Sequence, residues 1–378
     1  MVDYLSENNF LRGDNLKSSR ETIYKIMKLF KNFGAEEVEL PTLFDVDFLL
    51  NLYGEELRSR AFTVLDPFSG EKVLRPEFTV PIVKMHINNQ QNFGIYSYNG
   101  PVWRKKTYSG SQLNEFSQVG IEIFHSDNSI KKDAEIFKLF SEIVGLYGVE
   151  VELGDLGVLR SLLDLIEISE YKKNILLKHI WRPNRFNSLL NKFSDINLES
   201  KSKNYLKQLE MLDKLSNNSL KDSNIFGIRT LEDIKERIFL INEESHTDPI
   251  KSQDKKLILA VQSLSCNLLE APSRLLKLFG QESKFVDTVE NLKERTEEIA
   301  KLNVKVEDLP FAVSQLRSGA EFYDGFIFGF FLKNDKNLPA VAKGGRFNTL
   351  TKIIGKGKNI PAIGGMIRPD LYLRLKDD

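Results

Sequence analysis

The sequence predicts an α+β protein: an antiparallel sheet flanked by helices and interrupted by a helical insertion. Three observations carry this. Residues 96–124, YSYNGPVWRKKTYSGSQLNEFSQVGIEIF, hold two runs rich in aromatic and β-branched residues around a polar loop, which reads as a long hairpin. Strand-like runs and amphipathic helical spacing alternate up to about residue 169, and strands resume at about residue 304. Between them, over about 170–300, the chain is rich in Lys, Asn, Ser, Leu and Ile, with helical periodicity and few strand signals. The expected organisation is a core segment at 1–169, a helical insertion at 170–300 and a second core segment at 301–378.

Composition bounds the function. The 378 residues suffice for two domains, or one large domain with an insertion, and 41% hydrophobic with 28% charged residues suits a globular chain. Lys plus Arg equals Asp plus Glu, 53 each, so no bulk positive field favours nucleic acid. The single cysteine, Cys266, excludes an internal disulfide and a cysteine metal cluster, and the four histidines lack ligand spacing. The opening MVDYLSENNF has neither a basic start nor an apolar run, and no stretch approaches the ~20 apolar residues of a membrane span. A cytoplasmic chain is expected.

Residues 1–17 are polar and read as a partly extended lead-in. Ser18 or Ser19 is placed to cap a helix to about Phe33, with Ile23, Ile26, Met27, Phe30 and Phe33 at helical spacing and Gly34 as its stop. VELPTLF (38–44) reads as a strand; Pro41 cannot donate to a ladder, so the strand lies at an edge or an interface. Residues 58–76 read as a hairpin turning at Pro67 to Gly70. Glu77 then stands at a strand-to-helix corner, and Thr79 opens a helix containing Val80, Ile82, Val83 and Ile87. An acid there fits a simple helix-start charge. A helix over 130–148 turns Ile136, Leu139, Phe140, Ile143, Val144 and Tyr147 inward, VEVEL (149–153) is a strand, and 153–169 turns into another helix. LLKLFG (275–280) and VDTVENLKERTEEIAKL (286–302) belong to the helical insertion, whose last helix leads back into the core. AEFYDGFIFGFFLKN (320–334) reads as a Phe-rich strand pair, and PDLYLRL (369–375) as a terminal helix. The glycines of KGGRFNTL (343–350) and NIPAIGGMI (359–367) let backbones approach closely.

The hairpin carries the chemistry. Gln118, Gly120 and Glu122 alternate with Val119, Ile121 and Ile123, so period two sets Gln118 and Glu122 on one face. Arg104 closes the first strand. An arginine, a glutamine and a carboxylate on neighbouring strands suit a small ligand bearing both a carboxylate and an ammonium. The same pattern also fits a sheet with a wet outer face.

The order of residues in 96–124 resembles the second signature motif of class II aminoacyl-tRNA synthetases, most closely the histidyl-tRNA synthetase branch. VLRPEFTVPIVK (73–84) is similar to the segment carrying that branch's amino-acid-binding glutamate, and KGGRFNTL to its glycine-rich signature. The likeness runs over about residues 10–165 and 305–375. It implies the class II sheet, a dimer interface at the 19–33 helix and the Pro41 strand, and a histidine pocket. In that pocket Glu77, Thr79 and Gln118 meet the ammonium and Arg104 the carboxylate. Glu122 accepts from one imidazole nitrogen, and the Tyr323 hydroxyl meets the other. Phe347 stands where the branch has a tyrosine, leaving an apolar contact.

The ATP-handling positions depart from the branch. Ser318 replaces the arginine that opens the signature reading SGAEFYDG (318–325), with Arg317 one residue out of register. Lys106 replaces a glutamate of the second-motif loop, Gln112 an arginine of that loop, and Leu371 the arginine of the third motif; Arg368 and Arg374 lie at other points of the helix. The sequence ends at Asp378, where a synthetase continues into an anticodon-binding domain. Phosphoryl and adenylyl transfer depend on cations placed at developing charge, so little ATP chemistry is expected. A kept pocket with lost cations resembles a paralogous family, the regulatory subunits of ATP phosphoribosyltransferase. That resemblance implies a non-catalytic chain that needs no cofactor or metal. Its partner is the short-form catalytic subunit that begins histidine biosynthesis, and histidine is the feedback effector. Two other readings stay open: a minimal histidine-activating enzyme, and an interaction protein that no longer binds histidine.

Overall fold

The computed structural model describes residues 12–46, 61–105, 114–125, 129–180, 182–194, 247–279, 283–314, 322–335 and 337–377. Their strands, in chain order, are β1 (Glu36–Glu37), β2 (Leu43–Asp45), β3 (Thr63–Asp66), β4 (Gly70–Leu74), β5 (Gly94–Trp103), β6 (Glu115–Phe124), β7 (Val149–Asp155), β8 (Ser265–Asn267), β9 (Pro310–Ala312), β10 (Phe326–Leu332), β11 (Ala342–Arg346) and β12 (Ala362–Ile367). The helices are α1 (Gly13–Asn32), α2 (Thr79–Asn88), α3 (Ser129–Val144), α4 (Leu156–Leu165), α5 (Glu170–Lys178), α6 (Pro183–Phe193), α7 (Ser252–Gln262), α8 (Ala271–Phe279), α9 (Ser283–Lys301), α10 (Asn348–Ile354) and α11 (Pro369–Asp377).

Two compact units result, one from the described residues of Met1–Val158 and Leu264–Asp378, the other from those of Leu159–Ser263. The helical stretch expected over 170–300 is therefore divided, because α8 and α9 belong to the unit that holds the sheet. Nine strands form that sheet, in the order β1-β5-β6-β12-β11-β10-β7-β9-β8, and β2-β4-β3 form a second, smaller one. The central run from β5 to β7 pairs antiparallel throughout. β1 joins β5, and β9 joins β7, in parallel, so the main sheet is mixed at its margins.

The register divides the sheet into two faces. Phe326, Phe328 and Phe330 of β10 meet Phe137 of α3, and Phe140 meets both Phe328 and Phe30 of α1. The opposite face carries Glu122 and Phe124 and is covered by α2, whose His86 stacks on Phe124 with centroids 3.9 Å apart. Coverage on both sides explains why β10 reads FIFGFFL, apolar at consecutive positions. In the other unit, Leu176, Phe186, Leu190, Phe193, Ile258 and Val261 are buried. There the Lys172 ammonium donates to Thr247 Oγ1 and the Asp248 carbonyl, at 2.8 and 2.6 Å.

Several local expectations are corrected. α1 starts at Gly13 after Arg12, and Ser19 is buried on its inward stripe with Thr22, Ile26 and Phe30, so it packs where a cap was expected. Of the run at 38–44 only Leu43 and Phe44 lie in a strand, β2, and Pro41 stands in the link between β1 and β2. The carbonyls of Leu40 and Pro41 accept instead from Arg75 Nη1, at 2.7 and 3.0 Å. α3 stops at Val144 because Gly145 turns left-handed, and Tyr147 beyond it is 92% exposed, not inward. The 320–334 run yields one strand, β10, whose partners are β11 and β7. Of the lead-in expected to be partly extended at 1–17, residues 13–17 are already helical in α1, and 1–11 lie outside the described residues. Among the described residues no helix is long and apolar enough to cross a membrane, and no His, Cys, Asp and Glu group is arranged to hold a metal ion.

Candidate functional site

The site stands on the sheet face beneath α2. Glu122 pairs across β6 with Tyr96 of β5 and Gly364 of β12, and Gln118 lies two pleats away opposite Gly100. Both are buried, Glu122 at 1% and Gln118 at 2% exposure. The polar face is therefore dry, and a dry polar group needs a partner. Glu122 Oε1 accepts from Thr79 Oγ1 at 2.7 Å and from the Tyr98 hydroxyl at 3.5 Å. Its Oε2 is buried with no hydrogen-bond partner.

Glu77 precedes α2, and both its oxygens accept from the Val80 N–H, at 3.2 and 3.1 Å. The helix-start role is thus met. Burial also lifts its carboxyl to about 7, against the Val80 bond and the nearby Arg104 charge. Burial lifts Glu122 further, to about 8; the Thr79 bond opposes this and the Glu77 charge adds to it. The Tyr323 hydroxyl is pushed up by burial first, then by the charges of Glu122 and Glu77, while Arg104 pulls it down. Arg104 is held beside Glu77 by donating from Nε to the Pro76 carbonyl at 2.7 Å. The fold thus brings Glu77, Thr79, Arg104, Glu122 and Tyr323 together. Gln118 shares their face but forms no hydrogen bond with them. Sequence reasoning missed Tyr98, which stacks on Phe78 at 4.2 Å and lies opposite Gly120. The glycine in the facing strand was its signal, legible only with the register known.

Two carboxyls, one guanidinium and two phenols around a buried, unmatched oxygen can hold a small dipolar molecule bearing an ammonium, a carboxylate and a further N–H donor. The matching donor would form a charge-assisted hydrogen bond, the strong kind. The surroundings of the ATP-handling positions are described in part. Lys106, Gln112, Arg317 and Ser318 lie outside the described residues. Leu371 is buried in α11, Arg368 pairs with Asp370 at 2.7 Å and lies 4.1 Å over the Phe116 ring, and Arg374 is exposed. Phe347 is buried edge-on to Phe124 and Phe322, each at 6.2 Å.

An antiparallel hairpin, a following glycine-rich strand pair and a terminal helix arranged this way define a class II aminoacyl-tRNA synthetase-like protein. The family model for histidyl-tRNA synthetase matches residues 9–237, and the chain belongs to that family. It is similar to a histidine–tRNA ligase of Methanococcus vannielii, 24% identical over 90% of this chain and 68% of that one. It is equally similar to an ATP phosphoribosyltransferase regulatory subunit of Brucella anthropi, 24% identical over 87% of this chain and 90% of the relative. Among solved structures, a protein of Bacillus halodurans described as an ATP phosphoribosyltransferase regulatory subunit/histidyl-tRNA synthetase aligns with a TM-score of 0.65 at 18% identity, over 97% of this chain and 81% of its own.

Proposed function

We propose that this chain is a regulatory subunit of ATP phosphoribosyltransferase. It joins the short-form catalytic subunit in a cytoplasmic hetero-oligomer, is needed for full activity, and passes on feedback inhibition by histidine. The observation that carries the reading is the buried Glu122 Oε2 without a donor, in a site that keeps the other pocket residues while the third-motif position is the buried Leu371. Histidine supplies the missing donor. Its ammonium meets Glu77, Thr79 and Gln118, its carboxylate Arg104, one imidazole N–H the Oε2 of Glu122, and its other ring nitrogen the Tyr323 hydroxyl. Inhibition requires that the inhibited state of the assembly bind histidine more tightly than the active state. Mixing the purified chain with a short-form catalytic subunit should raise phosphoribosyl transfer, and histidine should lower it again. A catalytic subunit indifferent to this chain would overturn the proposal.

A second reading, a histidine-activating enzyme, is favoured by ligase-named relatives that match 90% of the chain. The buried Leu371 argues against it, since no guanidinium stands there to meet a phosphate. The expected result is no histidine-dependent exchange between ATP and pyrophosphate; robust exchange would restore the enzyme reading. Calorimetric titration with histidine separates a sensor from an interaction protein that has lost its ligand. Self-association is proposed through α1 and the 36–45 segment, where β1 and β2 each stand at a sheet edge. Light scattering should report at least a dimer at micromolar concentration, and a stable monomer would rule that surface out.

A further inference from the structure

In the β11–β12 ladder Gly345 faces Gly364 and Gly344 faces Gly365, so a patch of sheet two residues long and two strands wide carries no side chains. Residues directly opposite share a face, and consecutive residues alternate, so the two pairs serve different sides. On the α3 side, a methyl added at Gly344 would run into the Phe328 ring, and one at Gly365 would stand 2.8 Å from Phe140. That pair makes room for the core. On the site side, a methyl at Gly345 would stand 2.9 Å from the Tyr323 ring, and one at Gly364 would overlap Oε2 of Glu122. Neither Gly345 nor Gly364 has a left-handed φ, so close approach and not a turn explains them. The two side chains proposed to meet the ligand's ring lie directly on bare backbone.

We infer that Gly345 and Gly364 are positioning residues that set ligand specificity. By seating Tyr323 and Glu122 flat on the sheet, they place the unpartnered carboxylate oxygen at the depth where it meets a ring N–H. The site then selects an amino acid whose planar ring carries an N–H over one of similar size that lacks it. The inference rests on the histidine reading, and it concerns residues that touch no ligand themselves.

The test is calorimetric titration of the full chain with L-histidine and with β-(2-thienyl)-L-alanine, whose planar five-membered ring has no N–H. The unaltered chain should prefer histidine by about one to two powers of ten, the worth of one charge-assisted hydrogen bond. Gly345→Ala and Gly364→Ala should each lose about tenfold or more of that preference. Gly365→Ala lies in the same ladder but meets Phe140 and the Lys343 carbonyl, so it should lower the melting temperature and keep the preference. A methyl at Gly364 also stands 2.6 Å from the Ile121 carbonyl, which can prevent folding. In that event Glu122→Asp decides: it draws the carboxylate back by one methylene without touching the ladder, and it too should lose the preference. A folded Gly364→Ala or Glu122→Asp chain that still prefers histidine overturns the inference, as does an equal loss in Gly365→Ala. If the unaltered chain binds neither amino acid, the histidine reading fails and the inference with it; unchanged discrimination in the variants sinks the inference alone.

Discussion

Glu122→Gln is expected to lower histidine affinity by about 10- to 100-fold and, at pH 8, to make the unliganded protein more stable. The first effect follows from losing an acceptor that gives up its proton and becomes charged when the cationic ligand binds, since a hydrogen bond to a charged group contributes roughly 1.5–3 kcal/mol. The second follows from the proton balance of folding. Burial keeps the Glu122 carboxyl protonated up to about 8 in the folded chain, whereas its unperturbed value is 4.5. Folding therefore takes up a proton between those values. The stability linked to that proton is fully present below 4.5 and is lost as pH rises through about 8. Glutamine does not titrate, so its advantage is absent at pH 4 and grows to about 1–3 kcal/mol at pH 8, the penalty of an unsatisfied buried group. Glu77, lifted to about 7, acts with the same sign and leaves a residual slope in the mutant. His86 acts oppositely: burial pushes it down to about 4, so its contribution is present above its unperturbed 6.5 and is lost as pH falls through 4. Urea denaturation at pH 4, 6 and 8, beside calorimetry with histidine, tests both effects. A mutant destabilised at pH 8, with histidine affinity unchanged, would make Glu122 a structural group and remove it from the ligand site.

How much of this site was legible depends on the physical scale of each signal. Alternation within 116–124 places Gln118 and Glu122 on one face of a strand, and the structure agrees. Alternation does not reveal whether that face is wet, because burial is decided by α2, some forty residues upstream in sequence and linked to the strand by the bond from Thr79 to Glu122. The same limit explains the glycines. KGG and IGG suggest close approach, but the identity of what approaches depends on register, which sets Gly364 against Glu122. Helical spacing over 286–302 identifies a helix yet does not say which unit it joins. Arg295 sits within a charged run, ENLKERTEEIAK, and reads there as one more solvated side chain. In the fold it is buried, because α9 turns it toward two carboxylates from α3 and the end of β7.

That buried cluster underlies the largest stability effect expected. Asp133→Ala should destabilise the protein by about 3–5 kcal/mol, the usual cost of breaking a buried ion pair from one side. Asp133 is fully buried on α3. Its Oδ2 accepts from Arg295 Nε at 2.8 Å, and its Oδ1 accepts from Arg346 Nε at 2.9 Å and also from Nη2. Arg295 Nη1 donates in turn to Asp155 at 2.6 Å, and Arg346 Nη2 to the Ser129 carbonyl at 2.8 Å. Two cations and two carboxylates balance in a dry site, so deleting one carboxylate strands a positive charge. Alanine also leaves Arg346 with only neutral partners among those named. A loss of this size is a large fraction of the about 5–15 kcal/mol that holds a typical domain folded. Replacing Arg346 by Met in the same chain removes the stranded charge and should recover part of the loss, a double-mutant cycle with a clearly non-additive term. The position of Arg346 extends the consequence to the ligand. It directly follows Gly344 and Gly345 on β11, so loosening its anchorage on α3 loosens the strand on which Tyr323 rests. Histidine affinity should therefore fall in Asp133→Ala, although Asp133 makes no contact with Glu122 or Tyr323, and it should recover partly in the double variant. The urea midpoint and the histidine dissociation constant, measured on both variants, check the argument. A midpoint shifted by less than about 1 kcal/mol would mean that water, not Asp133, carries the charge of the two guanidiniums.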